Sequence, residues 1–139
     1  MLANGITLSY KTGSESTYTK LVGLKSVPDM GQDPEKVENT CLEDTTKKYE
    51  FGIGDYGDLE YKFKYENNSA SSSYRILRKL ADDKTVAKFE QAYPDGTKFA
   101  FDAQCNVKLS GGEVNGVIEF TLQLALQSEI AVTDPAAKA

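Results

Sequence analysis

Leu59-Glu60-Tyr61-Lys62-Phe63-Lys64-Tyr65 decides how the chain folds. Leucine, tyrosine, phenylalanine and tyrosine fall on odd positions, glutamate and two lysines on even ones. Successive side chains of a strand point to opposite faces, so period two describes a strand with one apolar and one solvated side. The same signature recurs downstream. Val86 to Tyr93 is strand-like, Pro94-Asp95-Gly96 supplies turn chemistry, and the chain returns with Phe99, Phe101, Ala103, Cys105, Val107 and Leu109 alternating against Lys98, Asp102, Gln104 and Lys108. These two runs predict a β-hairpin.

Gly111-Gly112 breaks that strand, and Val114 to Leu126 predicts a last long one. Its apolar side carries Val114, Ile118, Phe120, Leu122, Leu124 and Leu126, and its polar side Asn115, Glu119, Thr121, Gln123 and Gln127. It holds no proline and little charge, which marks it as an edge that a neighbouring chain would pair with. Shorter strands are expected at Ile6 to Tyr10, Tyr18 to Leu24 and Val37 to Leu42. One helix stands out between strands. Ser71-Ser72-Ser73 offers a cap, Tyr74, Leu77, Leu80 and Ala81 share a face, and Arg75, Arg78 and Lys79 take the other. The expected fold is mainly β: an antiparallel sandwich or barrel with one short flanking helix, in a single domain over residues 1–139. Two segments carry no periodicity. Residues 43–58, rich in charge and glycine, predict a long loop, mobile in a free subunit. Residues 133–139 predict a flexible C-terminal tail.

Composition narrows the function. A net charge of −5 from 16 basic and 21 acidic side chains argues against a protein that grips nucleic acid, because lysine and arginine dominate such affinity. The longest apolar runs are too short to span a membrane, and Met1 to Tyr10 has no signal-peptide pattern, so the chain is expected in the cytosol when made. Histidine is absent, which removes the commonest general base and metal ligand. Cys41 and Cys105 lie far apart with no metal-type spacing; Cys105, within an alternating run, predicts a buried free thiol.

The remaining motifs favour plain readings. Gly52-Ile53-Gly54-Asp55-Tyr56-Gly57 matches G-x-G-x-x-G, but its glycines lead into a strand and not a helix, so no phosphate site is expected. Glu43-Asp44 and Asp82-Asp83 lack calcium-loop spacing. Asn67-Asn68-Ser69 fits a glycosylation sequon without a secretion signal to give it meaning. Most aromatic residues fall on the apolar strand faces. Tyr18, Tyr49 and Tyr56 do not, and are candidates for contacts with a partner. No catalytic, metal or cofactor site is expected.

From Tyr18 to Asp44 the order of features resembles the opening of the tail tube proteins of long-tailed, non-contractile bacteriophages. A strand ends in a turn at Val27-Pro28-Asp29 and passes Gly31 and Pro34-Glu35-Lys36-Val37. A short strand then finishes at Thr40-Cys41-Leu42-Glu43-Asp44. A glycine loop, the Leu59 strand, a helix, a hairpin and a final strand follow in order, so the resemblance spans roughly residues 6–132. It implies a structural virion subunit, not an enzyme, that closes into hexameric rings stacked as a tube for DNA ejection. The neighbours' sheets would join into one barrel, with the helix outside. The long loop, with Tyr49, Gly52, Gly54, Tyr56 and Gly57, would reach an adjacent subunit. Expected partners are further copies, the tape measure, tail terminator and distal tail proteins, and DNA that slides through without sequence-specific binding. No membrane is involved; assembly in the host cytoplasm would deliver the protein to the virion tail. Glu60, Glu119, Thr121 and Gln123, on polar strand faces, are candidates to line the lumen, where ring symmetry would repeat one carboxylate as a negative band that keeps phosphates off the wall. A monomeric β-sandwich module binding carbohydrate or protein is the alternative.

Overall fold

The computed structural model describes residues 1–13, 15–57 and 59–137. The last position of the expected 43–58 loop and the last two of the C-terminal tail therefore lie outside the described residues.

The chain is mainly β, with one helix. In chain order the strands are β1 (Thr7–Lys11), β2 (Thr19–Lys20), β3 (Leu24–Ser26), β4 (Lys36–Glu38), β5 (Tyr49–Phe51), β6 (Leu59–Lys64), β7 (Val86–Ala92), β8 (Lys98–Leu109), β9 (Glu119–Leu126) and β10 (Ala131–Thr133), with α1 (Ser73–Asp82) between β6 and β7. One antiparallel sheet runs β2-β1-β7-β8-β9-β6-β3, with β10 added on β8, and curls into a half-barrel. β4 and β5 form a separate two-stranded sheet.

Alternation builds this sheet directly. In β6, Leu59, Tyr61 and Phe63 are buried while Glu60, Lys62 and Lys64 are exposed. The register with β9 sets Leu59 opposite Leu124, Tyr61 opposite Leu122 and Phe63 opposite Phe120, so both apolar faces coincide. The Phe63 and Phe120 rings stack at 5.1 Å. β7 and β8 form the expected hairpin, with Phe89 opposite Phe101. The core takes one polar pair. Tyr61 Oη donates to Gln91 Oε1 at 2.6 Å, and Gln91 Nε2 donates to Tyr93 Oη at 2.8 Å, which satisfies a fully buried amide.

α1 covers the apolar face. Leu77 and Leu80 are buried, Tyr74 and Ala81 partly so. Tyr74 meets Phe120 edge-on at 5.4 Å and Tyr65 at 5.0 Å. Ser73 Oγ donates to Val22 O at 2.6 Å, tying the helix start to the β2–β3 connection. Ser72 occupies the N-cap position without a side-chain capping bond; its hydroxyl donates to Asn68 Oδ1 instead.

Several expectations need correction. The final strand begins at Glu119, not Val114. Asn115 sits at φ 62° and Gly116 N–H donates to Glu113 O, so a turn occupies this stretch and Val114 is 93% exposed. The alternation ran on through a turn where it had no face to bury. Nor is this strand an edge: β9 lies between β8 and β6, and the edges are the short β2 and β3. The stretch Tyr18 to Leu24 breaks in two at Gly23, φ +85°, because Leu21 turns into the core. The loop at 43–58 contains β5, and the strand expected from Val37 to Leu42 is β4, ending at Glu38. β10, Ala131–Thr133, runs along β8 and shares only Thr133 with the tail expected to be flexible, and the chain then passes Gly96, where an added Cβ would lie 3.2 Å from Pro135.

Candidate assembly surfaces: the arm and the polar sheet face

Between β3 and β6 the chain leaves the main sheet and forms an arm. Val27, Met30 and Tyr56 pack against the core and root it. From there the two sides run outward in register. Asp33 N–H donates to Asp55 O, Gly52 N–H to Glu35 O, β4 pairs with β5, and Asn39 N–H donates to Lys48 O. At the tip, Asp44 Oδ2 accepts from Cys41 N–H at 2.9 Å and from the Cys41 thiol at 3.2 Å, while its Oδ1 meets Lys48 Nζ at 3.0 Å. The Cys41 N–H bond, then the Lys48 and Cys41 side-chain bonds, hold the Asp44 carboxyl below its usual range.

The arm exposes what the body hides. Val37, Leu42, Tyr49, Phe51 and Ile53 are all exposed, Ile53 to 97% and Leu42 fully. Its charge is equally uneven. Residues 29–57 hold eight carboxylates and three lysines, a net −5 that equals the charge of the entire chain, so the rest sums to zero.

The expected loop residues divide by role. Tyr49 lies exposed on β5, whereas Tyr56 packs partly buried at the root. The third tyrosine without a periodic face, Tyr18, lies under the Lys11 ammonium, 4.6 Å from its ring centroid. Gly52 carries the Glu35 bond, and a Cβ at Gly54 would overlap the Gln32 side chain. Gly57 sits at φ +69° with its N–H donated to Asp55 Oδ1. The glycines thus serve close approach and turning, and the segment feeds β6 rather than a helix.

Glu60, Glu119, Thr121 and Gln123 share the polar face of β6 and β9. Gln123 Nε2 donates to Glu60 Oε1 at 3.2 Å, and its Oε1 accepts from Asn106 Nδ2 at 2.9 Å. Thr121 lies between Lys62 and Lys108. Glu119 stands opposite Lys64 and bonds Lys25 Nζ at 2.8 Å. That bond, with the charges of Lys25 and Lys62, lowers the Glu119 carboxyl below its ordinary range. The face is therefore not a plain acidic band. Lys25, Lys62, Lys64 and Lys108 accompany its two glutamates. The sequence shows these lysines as plainly as the glutamates; the register is what sets them side by side.

Among the described residues no group of three or more His, Cys, Asp or Glu could hold a metal ion, and no helix is long and apolar enough to cross a membrane.

A curled antiparallel sheet, one flanking helix and a projecting two-stranded arm define a half-barrel with an appendage. The model of the lambda-like phage tail tube family matches residues 1–123, and the chain belongs to that family. It is a structural tail tube protein, and its place is the virion tail. No curated protein matches it. Solved structures share the fold at low identity. A chain of the anti-feeding prophage baseplate, six-fold symmetrised, aligns with TM-score 0.72 at 12% identity over 96% of this chain and 95% of that one. A chain of the tail of the empty gene transfer agent particle, refined helically with C6 symmetry, aligns at 0.71 and 17% over 94% and 98%. One from the native gene transfer agent virion gives 0.71 and 16% over 96% and 99%.

Proposed function

We propose that copies of this chain close into six-membered rings, that the rings stack into a hollow tube, and that DNA leaves the virion through it. The observation that carries this reading is the arm. Five large apolar side chains stand in solvent on a hairpin outside the main sheet, and contact with another copy is what would cover them. Two further features support it. The sheet ends in the short strands β2 and β3, whose open edges can pair with neighbours and join separate half-barrels. The C6 symmetry of the gene transfer agent tail, which has this fold, fits a ring of six.

In such a tube the polar face of β6 and β9, with Glu60, Glu119, Thr121 and Gln123, lines the lumen, and α1 lies outside. The lysines on that face are partly neutralised in place. Lys25 pairs with Glu119, and Lys64 with Glu66 at 3.1 Å. Lys62 and Lys108, on either side of Thr121, have no ion pair among the described residues, so amides and carboxylates interrupt the cations of this face without removing them. The protein acts without catalysis or cofactor, is assembled in the host cytoplasm, and meets tape measure, tail terminator and distal tail proteins at the tube's interior and ends. Electron microscopy and size-exclusion of concentrated protein test the reading. Rings or tubes with six-fold symmetry are expected. A monomer at every concentration would favour a solitary binding module.

A further inference from the structure

The polar sheet face is ordered in rows that cross the strands, and the rows differ in charge. Register sets Glu60, Gln123 and Asn106 in one row, Lys62, Thr121 and Lys108 in the next, and Lys64 and Glu119 in the third. The outer rows are settled by their own contacts. Gln123 bridges Glu60 and Asn106, Glu119 takes Lys25, and Lys64 takes Glu66. The middle row is not. Lys62 and Lys108 are exposed, and neither has an ion pair among the described residues. Strands lie about 4.8 Å apart, so the two lysines rise about 10 Å from each other with Thr121 midway. Their flexible ammonium groups can close over the threonine from both sides, giving one anion N–H donors left and right and an O–H beneath. The neighbouring rows lie about 7 Å away along the strands and carry Glu60 and Glu119, which confine an anion to the middle row.

We propose that Lys62, Thr121 and Lys108 form a phosphate site, one in each copy, that takes a backbone phosphate of DNA passing through the tube. A phosphodiester fits because its tetrahedral oxygens can meet donors on two sides and below at once. DNA also supplies such groups densely, at about one charge per 1.7 Å of helix axis. The contact is weak, since both lysines are exposed and glutamates flank them. Weakness suits a conduit, where a site must be easy to enter and easy to leave. Repeated around a ring, the row touches DNA from every side and centres it without gripping it. This rests on the tube reading, which puts the face in the lumen, and adds to it a specific point of contact.

Titration of the soluble protein tests the site apart from the tube. Inorganic phosphate, a short DNA duplex and an oligoglutamate peptide are added separately at low salt, and the Thr121 backbone amide is followed by NMR. The duplex is expected to shift it, and free phosphate to do so only at far higher concentration. Lys62→Gln with Lys108→Gln should remove most of the shift. The double variant should also lower the log–log salt slope of duplex affinity by about two, about one for each lysine. Lys79→Gln, on the helix, should leave the Thr121 shift unchanged. An amide that the duplex does not move, or moves equally in the double variant, overturns the site. A stronger response to oligoglutamate would make it a peptide site, and a response to free phosphate alone a small-anion site; either overturns the DNA assignment. Location is tested in tubes carrying Cys41→Ser and Lys108→Cys. A small maleimide should label position 108, and a maleimide on a carrier too wide for the bore should not. Labelling by the wide reagent would put the row outside the lumen and end the DNA contact, while the titration still judges the phosphate site.

Discussion

Two antiparallel pairings in this molecule obey the same backbone rules and rest on different energetics. β6 against β9 runs through the centre of the sheet, flanked on both sides, with its apolar face sealed by core and helix. β4 against β5 stands in the arm, where every residue of both strands is exposed. The first pairing is held by burial. The second is held by its ladder and by turn bonds at Asp44, and isolated two-stranded hairpins are marginal in water. The body can therefore be held by its own burial, while the arm, under the proposed function, has its apolar side chains covered by another copy.

Excising the arm should give the largest separation of the two. Asp33 and Asp55 are joined by a backbone bond of 2.9 Å across the base of the hairpin, so residues 34–54 can be replaced by two glycines without stretching either side. The expected product is a monomer whose denaturant midpoint is close to that of the intact protein and which forms no tubes at any concentration. Tubes from the excised protein, seen by electron microscopy, would remove the arm from assembly altogether. A shorter deletion of residues 47–57 is the poorer experiment, because it takes β5 and leaves β4 without a partner.

Paired substitutions sharpen the contrast. Phe63 is 0% exposed and stacked on Phe120, whereas Phe51 is 71% exposed. Phe63→Ala should destabilise the fold by about 3–5 kcal/mol in a urea titration, the range for emptying a buried aromatic site. Phe51→Ala should move the same curve by less than about 0.5 kcal/mol yet weaken assembly. The helix repeats the pattern on its two faces. Leu77→Ala should cost about 2–5 kcal/mol and Arg75→Ala almost nothing in stability. Equal effects of Phe63→Ala and Phe51→Ala would break the division between body and arm, and equal effects of Leu77→Ala and Arg75→Ala would mean that α1 does not pack on the sheet.

What the sequence revealed follows the same division. Where one strand face is buried, alternation is forced, and β6, β7 and β8 were legible nearly to the residue. The helix was legible from 73 to 82 because Leu77 and Leu80 must face the core. β5 was invisible for a physical reason: neither of its faces is buried, so Tyr49-Glu50-Phe51 carries no period to read. The extra turn of alternation at Val114 to Ile118 was the opposite error, an apolar pattern without a face. The arm's exposed apolar side chains left a different trace that could have been read. Leu42 and Ile53 are large apolar residues inside an acidic, glycine-bearing run, a placement that folding of the chain alone does not explain.

Alkali should act on the body. Burial raises the Tyr61 phenol well above its ordinary pKa, with Tyr93 adding to the shift, and burial pushes the Cys105 thiol up to about 12. Both groups hold their protons more tightly folded than unfolded. Their contribution is thus complete below the unfolded values, about 8.5–9 for the thiol and about 10 for the phenol, and is lost as pH rises beyond them. Thermal unfolding between pH 8 and 11 should show a falling midpoint that steepens above about pH 10. Tyr61→Phe should flatten the upper part of that fall and Cys105→Ala the lower part. A midpoint that drops equally in all three proteins would trace the loss to other groups.

The smallest effect is the most local, and it compares the two regions through their cysteines. Cys105 lies in the body, buried between strands, and Cys41 lies exposed at the arm tip. A thiol reagent added to the monomer should modify Cys41 promptly and reach Cys105 only when the sheet opens, at a rate set by unfolding. One fast thiol and one slow one are expected, and Cys41→Ser should abolish the fast phase alone. Assembly then adds a second stage. Cys41 adjoins Leu42, so if a neighbouring copy covers the tip the fast thiol becomes slow in tubes while Cys105 is unchanged. Should Cys41 react in tubes as it does in the monomer, the tip is still in solvent. The arm's contacts would then lie lower, at Phe51 and Ile53.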